Sequence, residues 1–208
     1  MKNYKKLVAG LISGWFLFAL VSSALHLYLN PANRVGLAVA LAAVAPIVLF
    51  SLWFARSVGF RQFALALDPR VLTFLQSWRI LGVVFVILAA YGVLPALFAL
   101  PAGYGDIFIG VTAPLVALWL AAPQRRLGFT AWQALGIADL VVAVGLGTTA
   151  RLISPDSIPM AALTVLPLSL IPTFLVPLFL IIHVICIAQA RSWPAAASSG
   201  QYVAVSHR

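Results

Sequence analysis

The chain keeps returning to apolar runs long enough to cross a bilayer, and no water-soluble fold could hide them all. A hydrocarbon core asks for about 20 consecutive apolar residues per helix. Candidate spans run from Leu7 to Leu29, Val35 to Ala55, about Val71 to Leu94, and about Phe129 to Ala150. A shorter one covers Ile107 to Ala122. A last apolar stretch, Met160 to Ala190, is too long for one upright helix and too short for two. Composition agrees: 63% of residues are hydrophobic and 8% charged, against about 25% charged in soluble domains. The runs are continuous rather than alternating, which excludes a β-barrel. The expected fold is an all-α polytopic membrane protein with six transmembrane helices.

The last stretch carries Pro167, Pro172 and Pro177 at five-residue spacing. This predicts a short or broken proline-rich segment to about Ile171, then a spanning helix to Ala190. Proline is tolerated in such helices where neighbours satisfy the freed carbonyls. Arg56 to Arg70 mixes Phe60, Phe63, Leu65 and Leu67 with Arg61, Gln62 and Asp68, which fits a short interfacial helix or a loop. Residues 1–192 form one transmembrane domain, and the Ala- and Ser-rich residues 193–208 read as a disordered cytoplasmic tail.

The thirteen Lys and Arg lie between apolar runs, which is the pattern that orients membrane proteins and not a nucleic-acid surface. With the N-terminus inside, Lys2, Lys5, Lys6, Arg56, Arg61, Arg70, Arg125, Arg126, Arg191 and Arg208 are cytoplasmic, and Arg34 and Arg151 are outside. This bias supports both ends in the cytoplasm of a bacterial-type inner membrane. The Lys-rich start and Ser22-Ser23-Ala24 also fit a cleaved signal peptide, which would leave five spans. The run continues through Leu29, long enough to span, so a retained helix is preferred.

Two charges interrupt the apolar runs. Arg79 precedes Ile80 to Leu88, and Asp139 sits within Ala134 to Val144. A charge at mid-membrane costs about 2.5–3.5 kcal/mol on insertion scales, so such residues face a bundle interior and pair. At 1.5 Å per residue, Arg79, Asp139 and His183 lie about 12, 15 and 10 Å from the cytoplasmic ends of their helices. Gln76 lies one turn from Arg79, and Gln133 precedes Asp139. Gln76, Arg79, Gln133, Asp139 and His183 are therefore expected to form one polar cluster.

A second cluster is expected at the outer face: His26 ending the first helix, Tyr104 and Asp106 before the fourth, and Asp156. Pro101-Ala102-Gly103-Tyr104-Gly105-Asp106 reads as a tight connection, with Asp106 suited to a helix start. Enzyme signatures are missing. There is no Gly-x-Ser-x-Gly and no His-Glu-x-x-His, and the chain has no Glu. Cys186 is the single cysteine and reads as a small buried hydrophobe. His26 and His183 fall near opposite faces, which disfavours a shared haem, so no metal or cofactor is expected. Gly10-x-x-x-Gly14 and Gly145-x-Gly147 suggest close helix contacts, within the chain or in a homodimer.

The reading that follows is a small inner-membrane protein whose buried Arg/Asp/His site binds or moves a small solute or proton. Two others stay open: an accessory protein whose polar cluster only holds its helices together, and a small intramembrane enzyme.

Overall fold

A computed structural model describes residues 2–29, 36–153 and 160–194. Arg34, Asp156 and the tail residues 195–208 lie outside the described residues. Among those described, the chain is all helical and no strand occurs. Six helices are long and apolar enough to cross a membrane: Asn3–Ala24, Leu37–Arg56, Pro69–Ala90, Ala96–Trp119, Pro123–Thr149 and Ile171–Ser192.

The first span is α1 (Lys2–Ala24). It stops earlier than Leu29, because His26 takes a left-handed conformation (φ 57°). Leu27 N–H then bonds the Ser22 carbonyl at 3.0 Å and His26 N–H bonds the Ser23 carbonyl at 3.0 Å, a Schellman end. The second span is α2 (Leu37–Arg56). The interfacial stretch is a short helix, α3 (Val58–Leu65), capped by Ser57, whose hydroxyl accepts from Phe60 N–H at 3.2 Å. The Gln189 amide donates to the carbonyls of Ala64, Leu65 and Leu67 at 3.2, 3.3 and 2.7 Å, supplying partners that a helix end lacks.

The third span begins at Asp68, which caps α4 (Pro69–Leu75) by accepting from Arg70 N–H at 2.8 Å, with Pro69 in the first turn. The helix then tightens to a 3-10 segment, Gln76–Gly82, before α5 (Val83–Ala90). A turn through Gly92 (φ 67°) leads to the fourth span, α6 (Ala96–Trp119). This corrects the expected short helix from Ile107. Pro101, Gly103 and Gly105 are not a connection but the interior of one long helix, and Asp106 does not start it. Gly and Pro break helices in water, but between packed spans the lost hydrogen bond is tolerated and the missing side chain allows close approach.

The fifth span is α7 (Arg126–Ile153). The proline-rich stretch is broken: a 3-10 turn at Met160–Thr164, then a π-helical turn at Ile171–Leu175 that leads into α8 (Val176–Ser192). Pro177 has no N–H to give the Thr173 carbonyl, and the Trp15 indole of α1 donates to it instead at 3.2 Å. Trp15 and Phe16 pack edge-on against Phe174, and Ser169 donates to Ser23 at 2.9 Å.

The basic helix ends gather at one face of the bundle. There Tyr4 packs on Trp53, Phe60 and Phe63, and Phe129 packs on Trp193. Two apolar clusters fill the interior. One, including Leu72, Ile109, Ala113 and Ile182, lies toward the basic face, and the other, including Phe85, Phe98, Ala102 and Met160, lies toward the opposite face. Along the third and fourth spans, Arg79 and Asp106 fall between the residues given to one cluster and those given to the other.

Candidate functional site

The site is built around Arg79 on the 3-10 segment, whose side chain is 1% exposed. Its guanidinium reaches three other spans. Nε donates to Asp106 Oδ1 of α6 at 2.6 Å, and Nη2 donates to Asp139 Oδ2 of α7. Nη1 donates to the Gly136 carbonyl of α7 at 3.3 Å and meets His183 Nε2 of α8 at 3.3 Å. Arg79, Asp106 and His183 each lie near the middle of their spans, and Asp139 lies only slightly past the middle of its own. The site is thus near the middle of the bundle's length.

Glycines make room for it. A side chain on Gly110 would meet the main chain of Arg79 and Ile80, with the Arg79 carbonyl carbon at 2.9 Å. One on Gly103 would lie 2.9 Å from the Gly82 carbonyl oxygen. These two bring α6 against the 3-10 segment. Gly105 leaves the space that the Asp139 carboxylate fills, with Asp139 Cγ 2.6 Å from where its Cβ would be. Gly136 does the same for the His183 ring.

A hydrogen-bonded chain leads away from the guanidinium toward the start of α4. His183 Nδ1 lies 2.5 Å from Gln133 Oε1. Gln133 Nε2 donates to Thr73 Oγ1 at 3.0 Å, and Thr73 donates to the Pro69 carbonyl at 2.7 Å. Cys186 Sγ is 4.0 Å from Thr73 Oγ1. The Trp132 ring packs beside His183 with centroids 5.8 Å apart. Buried polar groups so fully partnered hold their rotamers tightly.

The structure therefore brings Arg79, Asp139, His183 and Gln133 together. Gln76 is buried on the same segment but turns to α8, donating to the Phe179 carbonyl at 3.2 Å, and its Oε1 has no partner. The outer-face group is not assembled. Asp106 belongs to the Arg79 site, Tyr104 is 60% exposed on α6, and His26 ends α1. Asp106 was assigned from the sequence to the outer face instead, because glycines beside a proline imitate a turn. The signal that could have placed it is a stripe of small residues at helical spacing, Gly103 with Gly110 and Ala113, on the same helix as an acid. Among the described residues, Gly10, Gly14 and Gly145 have nothing within 4 Å of a would-be side chain, whereas one on Gly147 would meet Phe98 and Met160 at 3.5 Å. Among the described residues no group of three or more His, Cys, Asp or Glu is arranged to hold a metal ion.

No curated protein and no solved structure matches the chain. A family model does, that of the Domain of unknown function (DUF8737), over residues 34–191. The match takes in the second to sixth spans, and with them every residue that touches the Arg79 guanidinium. It extends over well more than half of the 208 residues, and the chain belongs to the DUF8737 family.

Proposed function

We propose that this protein sits in a bacterial-type inner membrane with its basic face in the cytoplasm, and that the Arg79 site binds or moves a small solute or proton. The observation that carries this reading is the charge set at mid-span. One guanidinium faces two carboxylates, Asp106 and Asp139, in surroundings where unbalanced charge is costly. A clamp that only fastened helices would need one acid for one base. The second acid gives the site a capacity for a further positive charge.

The test is flux. Proteoliposomes holding a trapped pH dye are given a potassium diffusion potential. Expected is a protein-dependent proton flux, lost in Asp106→Asn and in Asp139→Asn although both variants remain folded. Flux unchanged in both variants, or none above empty liposomes under a proton or solute gradient, would overturn the reading. It would leave a structural role, which the full partnering of the guanidinium favours.

A further inference from the structure

We infer that Asp106 and Asp139 together form a proton-exchange site that holds one proton between them, and that His183 is a positioning residue outside the exchange. This deepens the proposed function and rests on its reading of the site.

The role of His183 follows from donor and acceptor logic. A guanidinium can only donate, so His183 Nε2, 3.3 Å from Arg79 Nη1, must accept. The ring proton is then on Nδ1, facing Gln133 Oε1 at 2.5 Å. Gln133 is fixed in that sense, because its Nε2 donates to Thr73 Oγ1, whose own proton goes to the Pro69 carbonyl. A second proton on the imidazole would set one N–H against another. Both ring nitrogens are committed, and the ring carries no charge to balance the acids.

The remaining charges are one guanidinium and two carboxylates. Each acid gives one oxygen to Arg79, and among the described residues Asp106 Oδ2 and Asp139 Oδ1 have no hydrogen-bond partner. Asp139 Oδ1 lies over Gly105, the residue beside Asp106 in the chain, so the free oxygens belong to one locality. These are also the least enclosed parts of the site. The carboxylate side chains are 18% and 15% exposed, while Arg79 is at 1% and His183 at 0%. Among the described residues, the only other charged or titratable groups facing the pair are Arg79 from the third span and His183 from the last. Cys186 lies beyond Gln133, against Thr73. A proton taken onto one free oxygen turns that carboxylate into a neutral acid, and the other stays paired with Arg79. Its release leaves both ionised and the site one charge negative.

The chain is suited to infrared spectroscopy because it has four acidic side chains, all Asp, and only Asp106 and Asp139 lie in the spans. The protein in lipid nanodiscs is titrated while the carbonyl stretch of protonated carboxylic acid is followed, with carbon-13 aspartate confirming its origin. Expected is one such band that falls as the pH is raised. It should vanish in Asp106→Asn and equally in Asp139→Asn, because either change leaves Arg79 with a single matched acid. It should persist in His183→Gln and in Asp68→Asn. A band surviving in either single variant at Asp106 or Asp139, lost in His183→Gln, or absent at every pH would overturn the inference. Should the Asn variants fail to fold, a hydrophobic carbodiimide on the native protein decides. Adducts on Asp106 or Asp139 support the site, and their absence from both overturns it. A band without proton flux in liposomes would keep the shared proton and remove the transport reading, whereas flux without a band would do the reverse.

Discussion

At the scale of single residues, Arg79 determines most of what surrounds it. Its guanidinium touches α6, α7 and α8, so its loss leaves acids on two helices with no counter-charge. Breaking a buried pair by removing one partner costs about 3–5 kcal/mol. Arg79→Gln should lose that much in a detergent unfolding titration, and Asp139→Asn clearly less, because Asp106 still balances the guanidinium. Equal losses would contradict the two-acid arrangement. Arg79, Asp139, His183 and Gln133 were legible in the sequence because a polar residue in an apolar run has few reasons to be there. Asp106 was legible as a site residue but placed in the outer-face group, because the local rule for Gly and Pro describes chains in water, where a broken helix can bond to solvent.

At the scale of elements, the contact between α6 and the 3-10 segment decides the register of the site. Gly110 and Gly103 allow backbone to meet backbone there. Gly110→Ala puts a methyl group against the main chain of Ile80, which no rotamer change relieves, and overpacking of this kind costs about 1–3 kcal/mol. Gly145→Ala meets open space and replaces a poor helix former by a good one. Thermal unfolding in detergent should therefore show Gly110→Ala well below the parent and Gly145→Ala level with it or above. The reverse order would mean that α6 does not approach as described. Sequence spacing alone proposed Gly10, Gly14, Gly145 and Gly147 as the close contacts, and of these, among the described residues, only Gly147 faces neighbours, Phe98 and Met160. A pair of glycines marks a place where helices can meet, but which face meets a neighbour depends on the whole bundle.

At the scale of the molecule, six spans return both described ends to the basic face. Cys186 is buried, so single cysteines placed elsewhere can report sidedness. Gln124→Cys and Ser57→Cys should label with an impermeant maleimide from one side of the membrane, and Tyr91→Cys, in the exposed turn before α6, from the other. Labelling of Tyr91→Cys and Gln124→Cys from the same side would break the topology. The number of spans could be counted from apolar length, whereas their neighbours could not, since every lipid-facing run looks alike. The bond from Trp15 to the Thr173 carbonyl joins residues 158 positions apart, first span to last. A ribosome delivers the second of those helices 158 residues after the first. Until the sixth arrives, α1 has no seat for its indole, and the Thr173 carbonyl cannot be served before then. The bundle must therefore close late, with α1 waiting in the lipid as the other spans enter, and any device that holds nascent helices near an insertion channel would find its longest client here in α1.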